Sequence, residues 1–347
     1  MIEALSDQIR AAYASDTPLN IHGGGSKSFY GNNAQGALLD TRVLQGVVEY
    51  QPKELVLTAR AGTSLHDIES LLAKHRQGLA FEPPHFGAAT LGGCVATGLS
   101  GPRRPYTGAV RDYVLGVRMI DGTGQALRFG GQVIKNVAGY DVSRLMVGAL
   151  GTLGLITEVS LKVLPLPVAE ISLQFEMDEA QALITMNRWA GQALPLSATS
   201  WHAGLLSVRL SGAQSAVNAA HTKLGGATLH DAPAFWHRLR EQTTPFFDKR
   251  PLWRLAVKPT CPPLNLGDAQ WIEWGGAVRW LASDLSANAV RQAAHACGGH
   301  ATLFRGNAPA NGVFSPLSPA VLAIHQNLRL RFDPKQIFNR GRLYPNF

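Results

Sequence analysis

Cysteine is scarce in this sequence, and it is not clustered. The chain of 347 residues contains three cysteines, Cys94, Cys261 and Cys297, and none of them forms a CxxC pair. That pattern excludes a zinc knuckle and a cysteine-ligated iron–sulfur cluster carried by this chain. An odd number of separated cysteines without a secretory segment fits a reducing compartment. We therefore expect a cytoplasmic protein, with any membrane attachment peripheral, on the inner face and made through a complex.

Long apolar runs and runs of one charge are also missing. No stretch approaches the roughly 20 apolar residues of a membrane-spanning helix. Residues 1–16 carry Glu3 and Asp7 in an amphipathic helical pattern, without the basic start and apolar centre of a signal peptide. The formal charge is +8, but no basic run is longer than Arg103-Arg104. Without a basic stripe interleaved with aromatic residues, we predict no nucleic-acid binding.

The common glycine motifs for nucleotides are absent as well. The sequence has no GxGxxG and no GxxxxGK, so the usual dinucleotide and P-loop interpretations fail on spacing. What is present is the composition of a globular protein, with 46% hydrophobic and 16% charged residues. The length favours two domains over a single core.

Strand and helix signals change character near Pro165 and Pro167. Before this point the chain is rich in glycine and short strands, including 19–22, 55–60, 114–120 and 155–163, with a helix at 64–74. From 168 to 310 strands alternate with helices, which predicts an antiparallel sheet layered with helices. A last helix at 319–331 leads into a turn-rich tail. The predicted domains are 1–166 (subdomains about 1–52 and 53–166), a cap at 167–312, and a helix and tail at 313–347 that return to the first domain.

A glycine triplet follows the first strand. Gly23, Gly24 and Gly25 permit positive φ angles and let backbone N–H groups approach a phosphate closely. Ser26 adds a hydroxyl donor and Lys27 adds positive charge. An ordinary glycine turn explains the triplet equally well when it is taken alone.

Two further glycine-rich segments follow in the chain. Small residues dominate 90–101 (TLGGCVATGLSG), which permits backbone to lie against a flat ligand, and 106–109 (YTGA) comes just after. The segment 148–157 (GALGTLGLIT) is a glycine-rich turn that feeds an apolar strand. Each segment alone is also compatible with a plain loop or turn of a β protein.

The order of the three segments resembles the FAD domain of the vanillyl-alcohol oxidase and para-cresol methylhydroxylase (PCMH) superfamily. The resemblance covers about residues 18–165, and the tail at 333–341 is similar to the closing segment of that superfamily. Two stretches, 23–30 (GGGSKSFY) and 135–145 (KNVAGYDVSRL), resemble the FAD-binding E subunits of bacterial glycolate oxidases.

The resemblance implies an α+β fold, in which a PCMH-type two-subdomain FAD-binding domain carries an α+β cap of helices on an antiparallel sheet. It implies non-covalent FAD, because Ser26 stands where covalently flavinylated relatives have a histidine. The resemblance also implies the FAD contacts. The pyrophosphate cradle would comprise Gly23, Gly24, Gly25, Ser26, Thr90, Leu91, Gly92 and Gly93. The flavin neighbours would be Thr97, Gly98, Gly108, Ala109 and Val110, and Ile156 would lie at the adenosine end.

The implied function is an FAD-binding subunit of a glycolate oxidase complex that oxidises glycolate to glyoxylate. Its implied partners are a sibling FAD subunit and an iron–sulfur subunit, and catalysis is expected to require them. Two alternatives remain open. One is a self-sufficient FAD-dependent D-2-hydroxy-acid dehydrogenase, and the other is a flavin-bearing structural subunit that catalyses nothing.

The cap departs from the pattern of the related dehydrogenases, which carry clustered histidines and a metal. Its histidines are scattered without metal-ligand spacing, so we expect no metal and leave the catalytic residues unassigned. Arg305 and His300 are isolated candidates for a carboxylate clamp and a base, although a structural salt bridge is the plainer role for Arg305. Five positions apart on a strand, the two side chains are expected on opposite faces unless a bulge intervenes.

Overall fold

The computed structural model describes residues 1–131, 140–267 and 269–345. The first five residues of the family-like stretch at 135–145 lie outside these ranges, so the structure does not bear on them.

The N-terminal region contains a five-stranded antiparallel sheet in the order β3-β4-β8-β6-β7, together with a parallel pair β1-β2 and a short pair β5-β9. In chain order its elements are α1 (Ile2–Ser15), β1 (Leu19–His22), β2 (Ala37–Asp40), β3 (Val47–Gln51), β4 (Val56–Arg60), α2 (Leu65–Ala73), β5 (Gln77–Gly78), α3 (Leu91–Thr97), α4 (Arg104–Thr107), β6 (Val114–Ile120), β7 (Ala126–Gly130), α5 (Val142–Leu145), β8 (Leu155–Lys162) and β9 (Leu164–Pro165).

The helices on the five-stranded sheet begin at capped positions. The Ser64 hydroxyl accepts the backbone N–H of His66 at the start of α2, and the Thr90 hydroxyl accepts that of Gly93 at the start of α3. Such caps satisfy N–H groups that lack a partner in the first turn. Both helices bury apolar side chains in one core with strands β4, β6 and β8.

The cap is an eight-stranded antiparallel sheet in the order β13-β10-β12-β11-β15-β16-β14-β17. Its elements are β10 (Ala169–Glu176), α6 (Glu179–Ala190), β11 (Leu196–His202), β12 (Leu205–Gly212), α7 (Gln214–Leu224), β13 (Ala227–Thr228), α8 (Ala232–Glu241), β14 (Leu252–Ala256), β15 (Gln270–Glu273), β16 (Val278–Ala282), α9 (Ala287–Ala296) and β17 (His300–Arg305). Short 3₁₀ turns occur at Val110–Asp112, Pro245–Asp248 and Trp274–Gly276.

The two regions meet through an aromatic cluster and an ion-pair group. Tyr30, Phe86 and Leu99 of the N-terminal region pack against the cap core that includes Trp280 and Phe304. Nearby, the Glu82 carboxylate forms ion pairs with Arg209 of β12 at 2.8 Å and with Arg103 at 3.2 Å. Apolar packing and a shared carboxylate therefore hold the cap against the N-terminal region.

After the cap, α10 (Pro319–Phe332) leads the chain back to β1. The buried Asp333 carboxylate accepts the backbone N–H groups of Ile337 and Phe338, which turns the tail inward. Phe338 forms a parallel bridge with Leu19 at the start of β1. The predicted domain bounds themselves stay a prediction, whereas the change of sheet between β9 and β10 is part of the observed topology.

Most strands expected from periodicity are present, with ends shifted by a few residues at most. The expectations missed the strands β2, β3, β5, β9, β11, β13 and β15 and the helices α4, α5 and α8, and they treated the 90–101 segment as loop where the structure has α3. Two of its glycines hid this helix, because glycine weakens helices by about 1 kcal/mol. Here glycine is required by packing, since a Cβ on Gly92 would lie 2.8 Å from Cβ of Ala61.

The cysteines do not all remain thiols. A disulfide joins Cys261 and Cys297, whereas Cys94 is free and buried. The expectation of a reducing compartment did not anticipate this pair, because only the folded cap brings the segment after β14 next to the end of α9.

Within the described ranges, no helix is both long enough and apolar enough to span a membrane.

Candidate cofactor site

A cavity of about 520 Å³ opens between β1, α3, the turn before β8 and the tail. Its volume lies within the usual range of 300–1,000 Å³ for cofactor and ligand sites. All three glycine-rich segments contribute to its wall. The residues that line it are Asn20, Ile21, His22, Gly23, Gly24, Gly25, Ser26, Lys27, Ser28, Asn33, Ala34, Leu38, Thr41, Ala61, Thr90, Gly92, Gly93, Ala96, Thr97, Leu150, Gly151, Gly154, Ile156, Asn339 and Arg342.

The glycine triplet allows backbone to pack directly on backbone. A Cβ on Gly24 would lie 1.6 Å from the carbonyl oxygen of Ala88, and one on Gly23 would lie 2.7 Å from the Thr90 hydroxyl. Gly25 has a φ of +72°, a conformation that side chains rarely adopt. The triplet must therefore be glycine for this cavity wall to form.

The turn before β8 supplies the opposite wall. Leu150, Gly151 and Gly154 line the cavity with positive φ angles, and Ile156 lines it from the start of β8. Leu150 adopts a φ of +50° without being glycine, which is an uncommon backbone for a residue of its size. The third glycine-rich segment thus belongs to the same site as the first two.

The tail closes the cavity through Asn339. Its side-chain oxygen accepts the N–H of Ile21 at 2.7 Å, and its amide nitrogen donates to the carbonyl of Leu150 at 2.6 Å. One side chain therefore ties β1 to the turn before β8. The sequence indicated only that the tail returns to this region and did not identify Asn339 as part of the wall.

Two cations face the cavity without a carboxylate partner among the described residues. The Lys27 ammonium donates to the carbonyl of His85 at 3.1 Å, and burial lowers its pKa. The Arg342 guanidinium donates to the carbonyls of Lys27 and Ser28 at 3.3 and 2.9 Å. None of the lining residues is Asp or Glu. Positive charge that is not neutralised by the protein fits an anionic group such as a diphosphate.

The structure brings together nine of the predicted contacts and leaves five outside the cavity wall. The nine are Gly23, Gly24, Gly25, Ser26, Thr90, Gly92, Gly93, Thr97 and Ile156. Leu91 and Val110 are fully buried in the core, and Gly98 ends α3. Gly108 ends α4, and the Ala109 N–H is bound by the Asp112 carboxylate. Residues 108–110 therefore do not line the cavity.

The bulge that was named as the exception to an opposite orientation of His300 and Arg305 is present in β17. A bulge shifts the β14–β17 register, so that Arg305 pairs with Leu252 and His300 with Ala256. Both side chains consequently share one face, although the four-residue offset of their partners separates them by about 13 Å. The two candidates still do not converge on one small substrate.

Arg305 makes no ion pair within the described part of the chain. Its guanidinium lies over the rings of Phe29, Phe86 and Phe304 at 4.6, 5.2 and 5.1 Å. Burial and the nearby Arg250 lower its pKa to about 10. The salt bridge expected from the sequence is thus replaced by aromatic stacking between the two regions.

In the ranges 1–131, 140–267 and 269–345 no group of three or more His, Cys, Asp and Glu side chains is arranged to hold a metal ion.

Comparison with known proteins assigns the chain to a family. A family model described as "FAD binding domain" matches residues 1–130. Glycolate oxidase subunit GlcE of Escherichia coli is 47% identical over 344 residues, covering 99% of this chain and 97% of that protein. The chain belongs to this GlcE family. It therefore carries an FAD-binding domain and is a member of a family of FAD-dependent oxidoreductases.

Other relatives match a smaller part of the chain. A D-lactate dehydrogenase of Anaerostipes hadrus is 34% identical, and glycolate oxidase subunit GlcD of Bacillus subtilis is 31% identical. Each match covers 46% of this chain and 34% of the relative. A solved structure of alkyldihydroxyacetonephosphate synthase aligns with a TM-score of 0.68 at 16% identity, covering 96% of this chain and 74% of that one. This likeness shows the fold, and it confirms the predicted α+β architecture of a PCMH-type FAD domain with a cap.

Proposed function

We propose that this chain is the FAD-bearing subunit of a glycolate oxidase assembly that converts glycolate to glyoxylate. The observation that carries the proposal is the cavity of about 520 Å³, whose wall combines glycine backbone with Lys27 and Arg342 and contains no acidic residue. Such a wall suits the diphosphate of FAD. The proposed contacts are the nine lining residues predicted from the sequence, with Asn339 and Arg342 added.

FAD is proposed to bind without a covalent link. Ser26 is a poor candidate for a flavin bond, because a serine hydroxyl is a weak nucleophile. Cys94 is buried, and burial raises the pKa of its thiol to about 12, so the reactive thiolate is scarce at neutral pH. Denaturation of the purified chain should therefore release its FAD, and flavin fluorescence that stays with the polypeptide would contradict this.

The proposed partners are a sibling FAD subunit and an iron–sulfur subunit. The relatives named GlcE and GlcD are subunits of glycolate oxidases, which supports an assembly of unlike chains. The three cysteines of this sequence do not provide a cluster-binding set, which supports placing iron–sulfur centres on a partner. Electrons taken from glycolate leave through that partner, so sustained turnover requires it.

The proposal is tested by emptying this flavin site inside the assembly. We compare complexes that contain the wild-type chain, Gly24→Ala and the control Gly191→Ala, whose added Cβ meets only ordinary contacts of 3.7 Å or more. Glycolate oxidation with an artificial electron acceptor should fall at least tenfold for Gly24→Ala and stay within twofold for the control. Full activity of an assembled complex that lacks FAD in this chain would instead support a structural subunit.

A further inference from the structure

A second, smaller cavity lies where the cap meets the N-terminal region. It measures about 30 Å³ and has both regions in its wall. A water-sized sphere needs about 10–15 Å³, so this cavity holds about two or three such groups. That is the size of a two-carbon hydroxy acid and is too small for an aromatic acid.

Four aromatic rings contribute to the wall. Phe86 comes from the N-terminal region, and Trp274, Trp280 and Phe304 come from the cap. The Trp274 indole N–H donates to the carbonyl of Gly101 at 3.1 Å, which fixes one wall across the boundary. Apolar rings exclude water and strengthen any charge interaction inside the cavity.

Arg254 of β14 brings an uncompensated charge to this cavity. Its guanidinium lies 5.0 Å from the ring centre of Trp274 and 5.9 Å from that of Trp280. Across the three described ranges, this guanidinium makes no hydrogen bond and no ion pair. Burial lowers its pKa. A half-buried arginine with free donors is well suited to bind a small carboxylate.

Glu273 is the carboxyl group in the cavity wall, and it does not neutralise the Arg254 charge while it is protonated. It also lines the cavity, and its carboxyl accepts the Trp280 indole N–H at 2.7 Å. Burial raises its pKa to about 7, so the carboxyl is largely neutral in mildly acidic solution and partly neutral near pH 7. A neutral Glu273 neither pairs with Arg254 nor repels an incoming anion.

Gln242 supplies a side-chain carbonyl oxygen that no donor in the described part of the chain satisfies. Its side chain is 8% exposed and lines the cavity, and its carbonyl oxygen is buried without a hydrogen-bond partner in the described part of the chain. An unsatisfied buried acceptor costs about 1–3 kcal/mol. A hydroxyl group of a ligand would satisfy it.

The backbone around the cavity is held in uncommon conformations. Phe86 and Trp274 line the cavity with φ angles of +51° and +57°, whereas the φ of +53° at Gln242 is the ordinary left-handed end of α8. Bulky residues at positive φ are outliers that persist only where the surroundings enforce them, and they concentrate at binding sites.

The small cavity adjoins the cofactor cavity. Thr97 lines the larger one, and Leu99 and Ser100 line the smaller one two and three positions later. At a second point, the Lys27 ammonium of the larger cavity lies 5.7 Å from the ring centre of Phe86. About one side chain therefore separates the two spaces.

We propose that the small cavity binds a two-carbon 2-hydroxy carboxylate, with Arg254 pairing with the carboxylate and Gln242 accepting the hydroxyl hydrogen. This deepens the proposed function, on which it rests, because it names the substrate pocket beside the FAD. It also makes cavity size the determinant that selects glycolate over larger hydroxy acids.

The test measures binding of glycolate, acetate and D-mandelate to the FAD-loaded full chain by isothermal titration calorimetry. Arg254→Gln removes the charge, and Gln242→Leu removes the acceptor without breaking an internal hydrogen bond. Arg104→Gln is the matched control, because Arg104 stacks on the same Trp274 ring at 4.5 Å but does not line the cavity. FAD content is measured for every variant.

We expect the wild-type chain to bind glycolate at least tenfold more tightly than D-mandelate. Arg254→Gln should weaken glycolate binding at least tenfold, and Arg104→Gln should change it less than twofold. Gln242→Leu should weaken glycolate binding about fivefold and leave acetate binding unchanged, which keeps the test decisive if Arg254→Gln fails to fold.

Absence of saturable glycolate binding to the FAD-loaded wild-type chain would overturn the inference. So would equal effects of Arg254→Gln and Arg104→Gln, or an unchanged preference of Gln242→Leu for glycolate over acetate. In those cases FAD retention and turnover by the assembly leave the proposed function standing. A chain that retains no FAD contradicts the proposed function itself.

Discussion

The larger cavity is built from backbone, and the smaller one is built from side chains. Around the first, glycines let main chain pack on main chain, as at Gly24 against the carbonyl of Ala88. Around the second, Phe86, Trp280 and Arg254 form the wall with their rings and guanidinium. Backbone walls suit a large cofactor with many acceptor atoms, whereas side-chain walls suit a small ligand that must be selected by size and charge.

The difference predicts how each site responds to mutation. A backbone wall is sensitive to any added atom, because a main-chain segment can move aside only by disrupting the wall itself. A side-chain wall tolerates changes of shape better, but it depends on a few polar atoms in a setting of low dielectric constant. The following predictions test this contrast, beginning with the largest expected effect.

Gly24→Ala should remove FAD from the isolated chain. The added Cβ would lie 1.6 Å from the Ala88 carbonyl oxygen, so one backbone segment must shift and the cavity wall is lost. We expect overpacking of at least about 3 kcal/mol, which corresponds to a loss of affinity of roughly a hundredfold. FAD titration followed by flavin fluorescence measures the effect, with Gly191→Ala as control, and stoichiometric FAD in purified Gly24→Ala would refute the backbone assignment.

Glu82→Gln should loosen the cap that carries the side-chain walls. Burial raises the pKa of this carboxyl, but the charges and hydrogen bonds of Arg209 and Arg103 lower it by more. The net shift is downward, so the group is ionised at neutral pH. Removing one member of a buried ion pair costs about 3–5 kcal/mol.

Denaturant unfolding at pH 7 measures the free energy of unfolding of Glu82→Gln. The control is Asp231→Asn, whose ion pair with Arg238 is largely exposed and should contribute less than about 1 kcal/mol. Equal effects of the two substitutions would show that the interface carboxylate does not hold the cap.

Glu273→Gln should stabilise the protein in alkaline solution. The folded pKa of Glu273 is raised from 4.5 to about 7, so its ionisation above pH 7 costs the folded state more than the unfolded state. The native protein should therefore lose up to about 3 kcal/mol between pH 4.5 and 8 from this group.

Thermal unfolding of wild type and Glu273→Gln across this pH range isolates the contribution. The variant should be the more stable protein at pH 8, and the difference should shrink toward pH 4.5, where both side chains are neutral. A difference that does not depend on pH would place Glu273 in a polar, solvated setting instead.

Ser26→Ala should have the smallest effect. Ser26 lines the cofactor cavity, and its hydroxyl accepts the Lys27 ammonium at 3.4 Å. Loss of one neutral hydrogen-bonding group costs about 1 kcal/mol, or about a fivefold rise in the dissociation constant for FAD. A loss as large as that of Gly24→Ala would contradict the view that backbone dominates this wall.

The sequence by itself was sufficient for the features that depend on local chemistry. Period-two apolar patterns located most strands, and Ser64 marked the start of α2. Each glycine-rich segment alone was ambiguous, but their order resembled a known FAD-binding superfamily and so pointed to one cofactor site. Nine of the fourteen contacts that this resemblance implied line the cavity, and five of the nine are glycines.

Only the tertiary structure decided the features that depend on pairing between distant strands. One extra residue in the β17 ladder turned Arg305 onto the face of His300, since a bulge reverses the alternation of side chains. Arg254 from β14, Glu273 from β15 and Gln242 at the end of α8 meet in one cavity although no motif joins them. Their convergence is set by sheet order and by the packing of the cap on the N-terminal region, and neither leaves a pattern in any single stretch of sequence.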